Sequence, residues 1–520
     1  MPTKSLRPLR LSLAATALSG SALLGGCTLG PDFHQPRVQS PSAFIADAPA
    51  RTMALTTDSA INPDWWNSFN DPELTKLETM AVSQNLDVQI AAQRLAEARA
   101  QATIAGAPLY PSLSAAGSFT REKPSKVGIF SAFGSGGSNT STSTNAGATA
   151  SGGAQSAGGG GISGSLIQPF NLFQYGFSAV FGLDLWGKNR RTLEAALATE
   201  QSYRDAERAA LLNVEASLAQ DYIQMRGIET VLHITRQNLK TAAQLVNLTN
   251  ERQQAGLATS LDVANARSQQ AAIAAQVPSL IAQRDNQIGQ IGLLLGVTPQ
   301  SLPAELVDYT PVPLTPATVP IGLPADLLRR RPDIRQAEAQ LHAATAQVGV
   351  AVASFFPDIS LSGSVSLQAL QLSNLNSLNA VTYAIGPALS LPIFQGGELS
   401  GQLTLRKAQQ KEAAINYAKT VLQAFYQADI ALVSYNQEHA RLEQLKIDAQ
   451  QSQIAFGLAQ DQYRQGLADY LQVLSAEQNL LNAQQSEAQS IETVSTDLVQ
   501  LYQSLGGGWE AQYPTKEAGK

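Results

Sequence analysis

Few residues of this chain carry a chemistry of their own, and the clearest is a thiol. Cys27 is the only cysteine among 520 residues. It follows Leu24, Gly25 and Gly26, which close an apolar run over 11–24 that begins behind Lys4, Arg7 and Arg10. A positive start, an apolar run too short to span a bilayer comfortably and small residues before a cleavage point make a secretory signal peptide. The ending has the pattern of a bacterial lipobox: small side chains admit a peptidase, and the freed thiol then carries a diacylglycerol. Cys27 is therefore a predicted lipidation site. Thr28 stands where an aspartate would signal retention at the inner membrane, so delivery to the outer membrane is favoured.

No other constellation of that kind is visible. One cysteine excludes an intrachain disulfide and a cysteine-based zinc site. His34, His233, His342 and His439 are scattered, so no histidine metal cluster is predicted. No nucleophile–base pair, phosphate loop or spaced carboxylate pair stands out, so the chain is not expected to be an enzyme or to need a cofactor. Arg329, Arg330 and Arg331 read as solvated or paired structure at a helix start, with Pro332 in the first turn and Asp333 at its positive end. Trp65 and Trp66 read as packing anchors. The net charge of -6 and pI near 5.4 argue against nucleic acid, which demands a surplus of Lys and Arg. No run of 18 apolar residues follows the leader, so a bundle of membrane helices is excluded.

What must position these residues is a unit written twice. Residues 85–111 align without gaps on 331–357, Asp87 on Asp333, Leu95 on Leu341, Gln101 on Gln347 and Pro111 on Pro357, at an offset of 246. Later, Gly256-Leu257-Ala258 meets Gly466-Leu467-Ala468 at an offset of 210. The difference of 36 requires an insertion in the first half. Residues 131–165, nearly all Gly, Ser, Ala, Thr and Asn, fit it as a flexible loop. Seven prolines over 299–324 mark an extended connector that no helix can run through.

Each half reads as helix, strand, loop, strand and helical hairpin. Residues 112–119 and 358–365 alternate with period two, as do 176–186 and 382–391, which predicts four strands in all. From Gly187 to Gly256 and from Gly397 to Gly466 the interval is 69 residues, free of proline. A helix of that length reaches roughly 100 Å. Leu211, Val214, Leu218, Tyr222, Met225, Ile228 and Leu232 form a seam in the first, and Ile415, Ala418, Leu422, Phe425, Ala428, Leu432 and Tyr435 in the second. Gly256 and Gly466 end these helices, and return helices follow over 260–295 and 470–505.

Four strands in an exported, lipid-anchored chain cannot close a barrel alone, since an open edge in lipid leaves backbone groups unpaired and closed barrels need at least about eight strands. A trimer would supply twelve. With these motifs the chain resembles the outer membrane factor family of tripartite efflux pumps, the TolC-like channels, in their lipid-anchored NodT-type branch. The resemblance rests on Trp65-Trp66 with Phe69, Asp71-Pro72 and Leu74, on 323–334, on Leu183-Asp184-Leu185-Trp186-Gly187, on Leu391-Pro392-Ile393-Phe394 and on the residues after Cys27. It implies a mainly helical fold with membrane β structure: a trimeric outer-membrane β-barrel, four strands per chain, continued by a periplasmic α-helical barrel. The expected organisation is a leader over 1–26, a lipid-anchored N-terminal segment and equatorial part over 27–84, a first repeat over 85–298 with its loop at 121–170, the connector 299–324, a second repeat over 325–505 and a tail over 506–520.

The function so implied is a passive exit duct, in the outer membrane and extending into the periplasm. Small molecules such as drugs would pass through it from an inner-membrane transporter by way of a periplasmic adaptor. The alternatives are a duct for secreted proteins and a coiled-coil scaffold without a pore. The turns 256–262 and 466–472 are the expected periplasmic gate and adaptor contact, with Gly256, Thr259, Asp262, Tyr463, Gly466, Asp469, Tyr470 and Gln472 as candidates. Asp262 and Asp469 either ring the entrance with negative charge or cap the return helices. The resemblance places a Tyr, an Arg and acids in the second turn. Tyr463 fits, but Ala468, Gln472 and Ser475 occupy the other places, so a packed or hydrogen-bonded closure is expected instead of an ionic lock.

Overall fold

A computed structural model describes residues 28–36, 41, 44, 56–57, 59, 61–123, 169–302, 306 and 308–513. Cys27 and most of the predicted loop 121–170 lie outside the described residues. The described residues divide into two compact units, one drawn from the ranges 1–30, 104–192 and 349–401 and the other from 31–103, 193–348 and 402–520.

The first unit is built on one antiparallel sheet. Its strands are β1 (Ser112–Glu122), β2 (Phe170–Leu183), β3 (Asp358–Ala369) and β4 (Val381–Ser390), in spatial order β1-β2-β3-β4. The two predicted hairpins thus join through β2 and β3, with Phe177 opposite Val365. β4 is shifted back by one residue, whereas β1, β2 and β3 extend several residues beyond a predicted end, because the ladder continues after strict alternation lapses: Glu122 still pairs with Phe170 and Phe173 with Ala369. β2 also stops earlier than predicted. Asp184 leaves the sheet to accept the backbone N–H groups of Asn189 and Arg190 at 3.1 and 2.9 Å, capping the next helix.

The second unit is helical. Its elements are α1 (Pro72–Gln84), α2 (Leu86–Gly106), α3 (Lys188–Gln254), α4 (Ser260–Leu295), α5 (Pro324–Arg330), α6 (Pro332–Ala353), α7 (Glu398–Gln465) and α8 (Tyr470–Ser504); α2, α3, α6 and α7 also reach into the first unit. The repeat is visible in the helix breaks: Asn85 N donates to Ala81 O where α1 gives way to α2, and Arg331 N to Leu327 O where α5 gives way to α6. The proline-rich connector is mostly irregular, but Val319–Pro320 pairs in parallel with Thr56–Thr57. No described helix is long and apolar enough to cross a membrane.

Trp65 and Trp66 are packing residues. Trp65 is buried, stacks on Tyr502 at 5.3 Å between centroids and meets Trp66 edge-on at 5.7 Å. Asp71 caps α1 by accepting from Glu73 N and Leu74 N, with Pro72 as the first helical residue. The arginine cluster is largely paired structure: Arg330 binds Glu510, and Arg331 binds Asp333 and the carbonyl oxygen of Ser504.

The first predicted seam is the buried face of α3, apart from the half-buried Ile228. The second seam is corrected in its first half. Ile415 and Leu422 are exposed, and the buried stripe there is Tyr417, Val421, Ala424 and Ala428. α7 carries apolar residues on two faces, so helical periodicity fits both and cannot choose between them.

Candidate functional site

The two helical hairpins turn in the same way. Gly256 and Gly466 have φ of +73° and +80°, a region open to glycine at little cost. In the first turn Gly256 N donates to Gln253 O and Leu257 N to Arg252 O; in the second, Gly466 N donates to Tyr463 O and Leu467 N to Gln462 O. Both are Schellman caps, in which the carbonyls of a last helical turn find partners just past the helix end.

The predicted acids serve as helix caps in the chain. Asp262 Oδ2 accepts from the N–H and the hydroxyl of Thr259, both at 2.8 Å, while Thr259 Oγ1 accepts from Asp262 N. That is a reciprocal capping box. Asp469 Oδ1 accepts from Gln472 N at 3.0 Å. Thr259, Asp262, Asp469 and Gln472 thus have local backbone partners.

Tyr463 and Tyr470 come together. Both are buried, with ring centroids 5.8 Å apart and edge to face. They pack with Leu245, Val246, Ala266, Phe456, Val473 and Leu480 in a cluster drawn from both hairpins. Burial, with Glu477 as the next cause, raises the Tyr470 phenol above its ordinary range, and burial pushes Glu477 up to about 7.

The cation that joins the turns is one the sequence reading missed. Arg252, in the last turn of α3, donates from Nη1 to the carbonyl oxygens of Tyr463 and Arg464 at 2.6 and 3.2 Å. Its guanidinium lies 4.6 Å from the centre of the Tyr463 ring. An arginine in a last turn is ordinarily read as complementing its own helix's negative end. Here it serves the end of α7. The only sequence signal was a cation beside a repeat-matched turn.

The sheet has two unlike faces. On one, Ala115, Phe177, Val365 and Tyr383 stand in register, with Phe119 against Phe173 at 4.8 Å. On the other, Ser114, Ser178, Ser364 and Ala384 stand in register, and the hydroxyls of Ser114 and Ser178 lie 2.7 Å apart. Tyr175, Phe177, Val365, Tyr383 and Ile385 are exposed on a single chain. An apolar face of this size is suited to lipid or to a partner. At the sheet's helical end Leu29 N donates to Trp186 O at 3.1 Å, and Trp186 Nε1 donates to Pro357 O at 2.8 Å.

Residues 79–297 and 323–507 match the family described as outer membrane efflux protein. The chain is 32% identical over 518 residues to the probable efflux pump outer membrane protein TtgC of Pseudomonas putida, covering 98% of this chain and 97% of that one. It is 30% identical over 507 residues to nodulation protein T of Rhizobium leguminosarum bv. trifolii, covering 96% and 97%. The solved outer-membrane channel OprN superposes with a TM-score of 0.80 at 32% identity, over 93% of this chain and all of that one. The fold class expected from the sequence, mainly helical with four strands for an outer-membrane barrel, is therefore the fold of this chain. The chain belongs to the outer membrane efflux protein family, and its role is that of an outer-membrane efflux channel and not of an enzyme.

Proposed function

We propose that the chain is the exit duct of a tripartite pump for small molecules. Three copies, held by lipid on Cys27, would receive cargo from an inner-membrane transporter through a periplasmic adaptor. The observation that carries this reading is the two-faced sheet with open edges. β1 and β4 are its outer strands. Unpaired edges in lipid cost several kcal/mol per backbone group. Because four antiparallel strands is an even number, β4 of one copy meets β1 of the next antiparallel, and the ring closes without a change of pattern. The apolar face then meets lipid and the hydroxyl face lines the duct.

A second copy also suits the exposed stripe of α7, where Ile415, Leu422, Tyr426, Ile430 and Val433 lack cover in a single chain. The turns at Gly256 and Gly466 are separated from the strands by helices of 67 and 68 residues along the chain. They would form the periplasmic tip and the adaptor contact. Arg252, Tyr463 and Tyr470 would hold that tip closed by packing and hydrogen bonding. Efflux of small molecules is favoured over protein secretion because relatives named for toluene, solvent, antibiotic and pyoverdine export match over nearly the whole chain.

The test is deletion of the gene and complementation. Cells without the chain should accumulate a fluorescent dye and become sensitive to solvents and antibiotics, with secreted proteins unchanged, and the wild-type chain should reverse this. Loss of secreted proteins with normal dye efflux would favour the secretion duct. Crosslinking at the two turns should capture a periplasmic adaptor; capture at the sheet alone would place docking elsewhere.

A further inference from the structure

The face of the sheet that bears Ser114, Ser178 and Ser364 is polar but nearly free of charge. From Ser112 to Thr120, Leu172 to Gly182, Ser360 to Gln368 and Thr382 to Ser390, every residue of that face is uncharged. The charges on this face are Glu122 and Asp358, at the end of β1 and the start of β3. Between them the side chains are mostly Ser, Thr, Gly and Ala, with Leu172 and Val180 as apolar exceptions on β2, and hydroxyls pair with each other, as Ser366 does with Thr382 at 2.8 Å. Two long polar side chains stand out among them. Gln174 and Gln368 stand directly opposite one another on β2 and β3, with Ser118 opposite Gln174 on β1. Both glutamines are exposed, and Gln174 Nε2 reaches Ser366 Oγ at 3.5 Å.

We infer that Gln174 and Gln368 form a neutral amide collar in the duct that selects cargo by size and hydrogen bonding and is indifferent to its charge. The inference rests on the exit-duct reading, in which three copies bring six amides to one level. A primary amide offers two donors and two acceptor lone pairs, so it can exchange water for either polarity of cargo group. Rings of carboxylates or cations impose charge selection on a pore, and between Glu122 and Asp358 at its two ends this face supplies neither. The cargo class that fits is neutral and amphiphilic molecules together with organic ions of either sign. Any sorting by charge must then come from the two ends of the sheet, at Glu122 and Asp358, or from the helical part.

The experiment uses the full-length chain purified in detergent with Ser364→Cys, a position on the same face of β3, in a Cys27→Ser background. Anionic and cationic thiosulfonate reagents of matched size are compared by mass spectrometry, beside a bulky maleimide. The two small reagents should react at rates within about twofold of each other, because a field of a few kT at the site would separate them by tenfold or more. Replacing Gln174 and Gln368 by Gly should speed the bulky reagent at least about fivefold and leave the small ones unchanged, as expected for a steric collar. A tenfold preference for one charge, or no gain for the bulky reagent, would overturn the collar. A second variant, Tyr383→Cys in the same background, separates this failure from that of the duct itself. If charged reagents modify the thiol of the Tyr383→Cys variant and spare that of the Ser364→Cys variant, the faces are reversed and the exit-duct reading fails with the collar.

Discussion

Arg252 Nη1 donates to the carbonyl oxygen of Tyr463 at 2.6 Å, and so ties the end of one long helix to the end of the other. A hydrogen bond from a charged donor contributes about 1.5–3 kcal/mol, and the guanidinium over the ring adds about 0.5–2 kcal/mol. A shift from 1:99 to 99:1 between closed and open needs about 5.5 kcal/mol of differential binding. Three such ties sum to about 6–15 kcal/mol, so an adaptor that opens the tip must supply differential binding of at least about 5.5 kcal/mol. Arg252→Ala should raise the sensitivity of cells to large antibiotics at least about fourfold with normal protein levels, the loss of a tie of this strength being worth tenfold or more in the open fraction. Tyr463→Ala should act in the same direction. Unchanged susceptibility in both variants would place the gate elsewhere.

The sheet makes its own prediction at Gly176. A Cβ there would fall on the backbone of β3, at Val365 O and Ser366 Cα, whereas a Cβ at Gly182 would meet open space. Gly176→Val should abolish the assembled protein in outer-membrane fractions, because backbone cannot yield as a side-chain tip does. Gly182→Val should assemble at near wild-type levels. The comparison is read from native gels of membrane extracts.

How far the fold and site were legible follows from these residues. Gly256 and Gly466 announced the two turns because a left-handed cap almost demands glycine and the surrounding words repeat. The four strands were readable because one face is apolar and the other hydroxylic, giving strict period two. The face of α7 was not readable: Ile415 and Tyr417 belong to competing stripes, and only the neighbours that α6 supplies make Tyr417 the buried one. Arg252 was hidden for a similar reason. Its partners are backbone oxygens 211 and 212 residues away, and a carbonyl leaves no mark in a sequence. Asp262 was ambiguous between pore charge and cap, and local geometry shows it capping.

Buried carboxyls predict a pH dependence. Glu78 and Glu215 are fully buried. Burial, then the neighbouring Glu215, raises Glu78 well above the carboxyl range; burial, then Asp64, pushes Glu215 up to about 8. Burial pushes Glu492 up to about 7 as well. A carboxyl whose pKa is higher in the fold holds its proton more tightly there. Stability is then complete below the unfolded value near 4.5 and falls as pH rises towards 8. The melting temperature should drop by about 5 °C or more between pH 5 and pH 8.5, since each kcal/mol shifts a large chain by about 2–4 °C. Glu215→Gln should flatten that slope and be the more stable form at pH 8.5. A melting temperature that rises with pH would contradict the assignment.

Lipidation is predicted at Cys27, just ahead of a segment that the described structure fastens. Leu29 pairs through its N–H with Trp186 O, and Arg191 Nε donates to Leu29 O at 3.3 Å. The residues just after Cys27 are thus fastened where β2 passes into α3, at the rim of the sheet. Mass spectrometry of the mature N-terminus should show acylated Cys27. Cys27→Ser should lose the lipid and keep the assembled barrel, because lipid-facing strands are themselves a membrane anchor. A mature N-terminus at another residue would contradict the prediction.

The most direct test of the account is the conductance of the purified protein in planar bilayers, with native mass spectrometry of the same sample. The account predicts a particle of three chains. The wild type should show small or brief openings, and Arg252→Ala steady steps at least about tenfold larger in mean current, as loss of about 1.4 kcal/mol or more of closing energy requires. A particle of one chain, silent in both forms, would contradict it.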